Sequence, residues 1–319
     1  MWKIALLSLL LLTGCMNSGE KPAGTASEPS PGITAEPDHS GPDAAGKNSP
    51  GKEAPDNSDQ TPEVDQPRLL DIAKLPHTFA FSDESGTRLL GYPAEKPDSM
   101  ETVKQLNYAI GDNGNVVAVR FLNEQKYDDQ DSGRQTARNF DHTAGMLFEI
   151  TDGKAVPNES YYLVNDKDFP LDALAAIQPA EDYPAMDDAL ADKAAKQSGH
   201  QVELAAKLAD IGGDKEFYFI KFKREGDQAL ASLVLKDGDT LAFKDFPAEY
   251  NESSTWRVDD GGEISPHVFS LMFAAESANG TVLGVKWLGF EGENQMLFME
   301  DGQTLKELDI SGGRYMSPE

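Results

Sequence analysis

The chain has 319 residues, and its 55 acidic and 28 basic side chains give a formal net charge of −27 at pH 7. Residues 1–67 hold four basic and ten acidic side chains, which leaves −21 of this charge on residues 68–319. A protein this acidic is repelled by nucleic acid and by anionic lipids or polymers, which argues against these as partners. Cations and basic proteins remain possible, and so does an acidic surface whose only effect is solubility.

Residues 1–14 have the pattern of a signal peptide. Lys3 supplies a short basic start, and an apolar run follows from Ile4 to Leu12. This run is too short to cross a bilayer, which takes about 20 apolar residues. We therefore expect residues 1–14 to be removed when the protein is exported.

The residues around the single cysteine resemble the lipobox of bacterial lipoproteins. Leu12-Thr13-Gly14-Cys15 supplies an aliphatic residue, a small residue, glycine and then cysteine. The resemblance covers residues 1–15 only, and it implies that the Cys15 thiol is diacylglycerylated and becomes the first residue of the mature protein. Acyl chains such as palmitate then hold the protein on the extracytoplasmic face of a cell membrane, since two chains suffice for stable anchoring. The alternative is an ordinary cleaved signal with a cysteine nearby by chance.

A disordered linker is expected over residues 15–67. From Met16 to Pro67 there is no aromatic residue, and Pro, Gly, Ser, Ala and acidic residues dominate. Such a stretch buries too little apolar surface to offset its conformational entropy. It would act as a spacer of roughly 40 Å between membrane and folded region, or it is a remnant without a role of its own.

Residues 68–319 form the folded region, which we predict to be mainly β or α+β, built from antiparallel β-meanders. Asn-Gly and Asp-Gly pairs tolerate the positive φ of tight hairpins. Such pairs separate the apolar runs and begin at Asn113, Asp152, Asp237, Asn279 and Asp301. Strand patterns flank them at Val116–Phe121, Phe217–Phe222, Leu230–Leu235, Val268–Phe273 and Val282–Trp287. Because Cys15 is the only cysteine, this region has no disulfide and depends on its core.

Helix is predicted only in the middle of the folded region. Met186–Gln197 is rich in alanine, has an acidic first turn, and is followed by Gly199 as a stop signal. Leu171–Ile177 is a shorter helix candidate. Val202–Ile211 fits both periods, and we favour a strand because Gly212-Gly213 leads directly into the next strand.

Two similar stretches suggest an internal repeat. Asn113–Leu122 aligns with Asn279–Leu288, and each is followed by a Met-Leu-Phe run that ends in an Asp-Gly turn. We infer two related β-meander units, 68–168 and 200–319, on either side of a helical connection at 169–199. The alternative is that hairpins of one kind simply look alike.

The first unit carries an insertion of about 16 residues between Leu122 and Met146, relative to the second unit. The extra residues cover Lys126 to His142. Connections between strands tolerate insertions, and function is frequently placed in them. We therefore expect this insertion to contribute to a binding site.

Three aspartates in the insertion are a candidate calcium site. Asp128, Asp129 and Asp131 precede Gly133, in the manner of the first carboxylates of a calcium loop. The match is incomplete, since no acid follows at the next odd position and no glutamate closes the loop. A solvated acidic loop is the alternative, and no other cofactor is indicated.

No motif in the chain indicates catalysis, and we name no catalytic residue. The Gly-x-Ser-x-Gly elbow, the His-Glu-x-x-His motif and a glycine-rich phosphate loop are absent. The histidines of the folded region are scattered at His77, His142, His200 and His267. Carboxylate pairs for glycoside hydrolysis are available, but the abundance of acids makes any choice arbitrary.

Trp256 is the candidate for a stacking contact with a sugar or a peptide. It lies in a polar stretch, Ser254-Thr255-Trp256-Arg257, whereas Trp287 alternates with apolar residues and is expected in the core. Packing in the core is the alternative for Trp256 as well.

Together these patterns favour a membrane-anchored extracytoplasmic lipoprotein whose β-rich domain has a non-catalytic binding or structural role. Its partner would be an envelope protein, a wall component or a cation. The alternative is an extracytoplasmic hydrolase whose active site no motif reveals. A transporter-linked solute receptor is disfavoured, because that class usually alternates strands and helices.

Overall fold

A computed structural model describes residues 68–92, 94, 96–252, 254–256, 262 and 264–317. The expected signal peptide, the lipidated Cys15 and the linker of residues 15–67 lie outside the described residues. The described part is mostly antiparallel β-structure, which confirms the predicted fold class. It consists of a closed barrel and a larger sheet.

Six antiparallel strands close into the barrel in the order β1-β2-β5-β4-β3-β6. They are β1 (Phe79–Ser82), β2 (Arg88–Tyr92), β3 (Tyr108–Gly111), β4 (Asn115–Gln125), β5 (Gly145–Asp152) and β6 (Ser160–Val164). Strand β6 closes the barrel because it pairs with β1 on one side and with β3 on the other. A short helix, α1 (Met100–Val103), connects β2 to β3.

Nine strands form the second sheet, in the order β12-β13-β14-β15-β11-β10-β9-β8-β7. They are β7 (Ile177–Pro179), β8 (Val202–Ile211), β9 (Lys215–Phe222), β10 (Gln228–Asp237), β11 (Thr240–Glu249), β12 (Phe269–Ser277), β13 (Gly280–Leu288), β14 (Gly292–Asp301) and β15 (Thr304–Tyr315). Neighbouring strands are antiparallel except β11 and β15, which run parallel and pair at Phe243 and Thr304. The segment before β7 also reaches β12, since the Ala175 N–H donates to the Ala274 carbonyl at 2.9 Å.

The five predicted strand segments are confirmed as β4, β9, β10, β12 and β13, and Val202–Ile211 is strand β8. The turns differ in detail from the expected Asp-Gly hairpins. Asp237 still pairs with Thr240, so Gly238 is the first residue of a two-residue turn, with φ of 53°. Glycine at the first central position with positive φ is the signature of a type II′ turn.

The predicted helix over Met186–Gln197 is confirmed as α2 (Asp188–Ser198). The Asp187 carboxylate accepts the Ala189 and Leu190 N–H groups at its start, and Gly199 ends it with φ of 80°. The prediction for Leu171–Ile177 was wrong. Only a 3₁₀ turn forms there, at Leu171–Ala173, because the following backbone pairs with β12 instead. In the described residues, no helix combines the length and the apolar run that a membrane crossing needs.

The proposed repeat matches the topology over three strands. Strands β3-β4-β5 and β12-β13-β14 both run as antiparallel meanders. The next strand differs, since β15 pairs with β14 whereas β6 leaves β5 and closes the barrel. The repeat and its unit boundaries therefore stay a prediction.

The barrel and the nine-stranded sheet share a buried layer. Each barrel strand points side chains into the barrel, namely Ala80, Leu89, Ala109, Val117, Phe148 and Leu163. The alternate residues Phe79, Phe81 and Tyr162 pack outward with Phe273 and Met299 of the sheet. Strands β1 and β6 are thus buried on both faces, which explains their continuous apolar sequences.

Ion pairs around Glu216 in β9 stabilise the face of the nine-stranded sheet that also carries Tyr218. The Glu216 carboxylate oxygens lie 2.8 Å from Lys207 Nζ and 2.6 Å from Lys236 Nζ. Partial burial alone would raise the pKa of Glu216, but the hydrogen bonds from the two lysines lower it to about 2. Because the folded-state pKa is depressed, this stabilisation is present above the unfolded value and is lost as the pH falls towards 2.

We expect Glu216→Gln to lower the free energy of unfolding by about 1 kcal/mol at pH 7. The difference from wild type should shrink as the pH falls from 4.5 towards about 2, where Glu216 takes up its proton. Urea unfolding at several pH values measures this, with Glu249→Gln on exposed β11 surface as the matched control. A difference that stays constant down to pH 2 would contradict the assignment.

Candidate binding pocket at one end of the barrel

A cavity of about 380 Å³ opens at one end of the six-stranded barrel. Thr78, Gly91 and Tyr92 form its buried floor, where β1 begins and β2 ends. Further lining comes from the half-buried Met100 and Met146 and from an exposed rim of Pro97, Glu124 and Ala144. The volume is in the range of small-molecule binding sites in proteins.

Glycine allows β2 and β5 to approach each other closely beneath this cavity. Gly91 of β2 pairs with Met146 of β5. A Cβ atom at Gly145 would lie 2.5 Å from the Gly91 carbonyl oxygen and 2.7 Å from Leu90 Cγ, which no side chain tolerates. The glycine at position 145 therefore keeps the strands in contact and leaves the space above them open.

The predicted insertion begins and ends at the cavity. Strands β4 and β5 are paired out to Gln125 and Gly145, so residues 126–144 form their connection, whereas residues 289–291 connect β13 and β14. The Gln125 side-chain amide donates to the Phe140 carbonyl at 2.6 Å and to the Thr143 carbonyl at 2.7 Å. These bonds close the insertion at its base and hold the cavity wall in place.

The insertion also has its own buried anchor. Phe140 is fully buried and packs edge-on against Phe81 of β1, with ring centres 5.5 Å apart. The guanidinium of Arg88 lies over the Phe140 ring, 4.9 Å from its centre, and pairs with Asp141 at 2.8 Å. The insertion is therefore anchored to the barrel through Phe140 and Asp141 near its end.

Two carboxylates, Asp98 and Glu124, are the charged groups among the described residues of the cavity lining. Asp98 is half-buried, and its Oδ2 accepts the His77 backbone N–H at 2.7 Å and the Thr78 hydroxyl at 2.6 Å. Its Oδ1 has no hydrogen-bond donor within the described residues and remains available to a ligand. Glu124 lies on the exposed rim and has no ion-pair partner in that same part of the chain.

The cavity floor is connected to a buried polar network through Tyr92. Burial raises the pKa of Tyr92 far above the physiological range, so its hydroxyl stays protonated and donates to Gln295 Oε1 at 2.8 Å. The Gln295 amide in turn donates to Glu293 Oε1 at 3.0 Å. A barrel residue that lines the cavity is thereby fixed to strand β14 of the sheet.

Arg314 of β15 is the centre of this network. Its side chain is fully buried, and it donates to Glu293 Oε1 at 3.3 Å and to the Ser160 hydroxyl at 3.1 Å. It also donates to the carbonyl oxygens of Asn158 and Gln135, at 3.0 and 2.8 Å. A buried charge of this kind is tolerated only when its hydrogen-bonding capacity is met. Because Gln135 belongs to the insertion, Arg314 joins the sheet, the barrel and the insertion.

This network is a structural element rather than a reaction site. Ser160 donates its hydroxyl hydrogen to Glu293, and a serine beside a carboxylate and an arginine invites a catalytic interpretation. However, Ser160 and Gln295 have no exposed surface, and Glu293 is 8% exposed. The network therefore offers no opening to a substrate.

Asp128 of the predicted calcium site is engaged by the protein itself. Its Oδ2 lies 3.0 Å from His142 Nδ1, and its Oδ1 accepts the Gln130 backbone N–H at 2.8 Å. The hydrogen bond from His142 lowers the pKa of Asp128, and the same bond raises the pKa of His142. The pair joins the two ends of the insertion.

Asp131 has similar contacts, because its Oδ1 accepts the Gly133 N–H at 2.9 Å and the Asn139 side-chain amide at 2.7 Å. Asp129 is exposed. Within the described part of the chain, no group of three or more His, Cys, Asp or Glu side chains could hold a metal ion. A calcium site at Asp128, Asp129 and Asp131 thus remains a prediction.

Trp256, the predicted stacking residue, packs against the core and also borders a cavity. Its indole N–H donates to the Phe246 carbonyl at 2.9 Å, and its ring packs on the interior of the nine-stranded sheet. It also borders a smaller cavity of about 180 Å³, next to Tyr250 and Arg224. The Arg224 guanidinium stacks 3.7 Å from the Tyr250 ring centre. A stacking contact at Trp256 stays a prediction.

Sequence reasoning missed Asp98, Tyr92 and Met100, which line the cavity at the barrel end. No local signal marks them, since Asp98 simply precedes the Ser99 N-cap of a short helix. They meet Glu124 because β5 pairs with β2 on one side and with β4 on the other. Comparison of the chain with protein-family models, with curated proteins and with solved structures gave no match. The function is therefore argued from the cavity itself.

We expect Arg314→Met to lower the free energy of unfolding by about 3–5 kcal/mol, because it leaves Glu293 buried without its partner. The double variant Arg314→Met with Glu293→Gln should recover part of this loss. Urea unfolding measures both, with Lys306→Met on the exposed surface of the same strand as control. If the single and double variants are equally unstable, the two residues are not coupled as described.

Proposed function

We propose that the protein is a lipid-anchored binding protein on the extracytoplasmic face of a cell membrane, and that the cavity at the barrel end holds its ligand. The observation that carries the proposal is the position of the cavity. It lies between the β2–α1 connection and both ends of the insertion, and insertions between strands frequently carry binding sites. The lipobox resemblance at Cys15 supports the anchor.

The geometry supports binding rather than turnover. The floor and walls of the cavity are mostly apolar. The one hydroxyl among its described lining residues besides that of Tyr92 belongs to Thr78, which is buried and donates its hydrogen to Asp98. The network around Arg314 and the bonds of Gln125 hold the walls in place before a ligand arrives. A site whose walls are already ordered loses little conformational entropy on binding, which favours affinity.

The anchor and the linker are consistent with a receptor that is attached to a membrane while its folded region stays away from the bilayer surface. Acyl chains on Cys15 would provide the attachment, and residues up to Pro67 would provide the reach. The negative charge of the folded region repels anionic lipid, which favours a position away from the bilayer surface. An envelope protein or wall component as a further partner stays a prediction.

We expect Cys15→Ala to abolish metabolic labelling with radioactive palmitate, because the acylated thiol is lost. The variant should also leave the membrane pellet or persist as an uncut precursor. Ser18→Ala, three residues further on, is the control and should label like wild type. Palmitate incorporation into the Cys15→Ala protein would contradict the anchor.

Two methionines that line the cavity allow ligand entry to be observed directly. In full-length protein labelled with ¹³C-methyl methionine and held in lipid nanodiscs, 1-hexanol is the probe. The Met100 and Met146 methyl signals should shift saturably, because both side chains line the cavity. The Met272 signal should not, because that residue is buried between the barrel and the sheet.

Ala144→Trp should prevent these shifts, since it places an indole on the exposed rim of the cavity. Ala278→Trp, in the exposed turn between β12 and β13, is the matched control and should leave them unchanged. If 1-hexanol moves both signals equally in Ala144→Trp and in wild type, or if no probe of this length moves either methionine in wild type, the cavity is not the binding site.

A further inference from the structure

The charged side chains that line the cavity are all acidic among the described residues. Asp98 and Glu124 line it, and the described lining residues include no lysine, arginine or histidine. Lys96, two residues before Asp98, pairs with Asp309 of β15 instead. A ligand with a positive charge is therefore attracted to the cavity, and a ligand with a negative charge is repelled.

Asp98 is fixed in a way that suits it to bind a cation. The His77 N–H and the Thr78 hydroxyl hold Oδ2 at 2.7 and 2.6 Å, which restricts the rotation of the carboxylate. Oδ1 is left without a donor within the described residues. Because Asp98 is half-buried, its attraction for a cation is less screened than that of a surface carboxylate.

The rest of the cavity is apolar and selects against a bare ion. Met100, Met146, Ala94 and Pro97 present carbon and sulfur atoms to its space. A strongly hydrated inorganic cation would lose water there without gaining further oxygen ligands. An organic cation keeps its charge at the carboxylates and buries its carbon atoms against these side chains.

From this arrangement we infer that the pocket takes a small organic cation, in which one ammonium group is joined to a compact apolar body. The inference rests on the proposed function, since it specifies the ligand of the same cavity. Asp98 binds the ammonium group, and Glu124 at the rim adds to the attraction. The charge of −21 on residues 68–319 raises the local concentration of such cations.

The test compares three probes of matched length: n-hexylammonium, 1-hexanol and hexanoate. Each is titrated into full-length protein in nanodiscs at pH 7, with the Met100 and Met146 methyl signals as the readout. Hexylammonium should bind at least tenfold more tightly than 1-hexanol, and hexanoate should not bind. The preference for hexylammonium should fall as salt is added, because the attraction is electrostatic.

Variants at the two carboxylates show which of them is responsible for the preference for the charged ligand. Asp98→Asn keeps an oxygen acceptor for His77 and Thr78, and it should remove most of the tenfold preference while 1-hexanol binds as before. Glu124→Gln should reduce the preference by about two- to threefold, because an exposed charge is screened. Asp301→Asn, with the same charge change at an exposed position outside the cavity lining, is the control and should have no effect.

The outcomes separate the two proposals. If hexylammonium and 1-hexanol bind wild type equally, the ligand class is wrong, whereas the binding function of the cavity stands. If none of the probes binds, both are wrong. If thermal melting shows that Asp98→Asn does not fold, Glu124→Gln decides: an unchanged preference in that exposed rim variant overturns the inference.

Discussion

The buried ionic contact between Arg314 and Glu293 is the constraint on which the rest of this structure depends. Arginine stays charged when buried, so its fold must supply acceptors for it. Here they come from β14, from the residues before β6, and from the insertion between β4 and β5. Three parts of the chain that are distant in sequence can satisfy Arg314 only in one relative arrangement. The network therefore fixes how the barrel meets the sheet, beyond what apolar packing alone would specify.

The same arrangement explains why the cavity exists in an ordered form. Tyr92 of its floor is held by Gln295, which is itself bonded to Glu293. Gln135 of the insertion is held by Arg314, and Phe140 is packed against Phe81. Cavity walls that are supported in this way keep their geometry without a ligand, as a binding site of fixed specificity requires. Stability and binding are thus coupled through one set of contacts.

Local features of the fold could be predicted from the sequence, and long-range ones could not. Val202–Ile211 formed the favoured strand, and α2 lies within one or two residues of its predicted ends, because caps and periodicity are local signals. Barrel closure depends on the pairing of β6 with β1, which no local pattern encodes. The helix prediction for Leu171–Ile177 was wrong for the same reason, since pairing with β12 overrides the helical pattern. The same holds for the candidate site: the insertion could be predicted from the sequence, whereas Asp98 could not.

Hydrogen–deuterium exchange of the full-length protein tests most directly whether Arg314 locks the insertion to the barrel and the sheet. The relevant amides are those of residues 135–143, compared with those of β6 and β14. We expect the insertion amides to be protected to a similar degree as those of the two strands, since they open in one cooperative unit. Rapid exchange throughout residues 135–143, while β6 and β14 stay protected, would show a loose loop and contradict a preformed cavity.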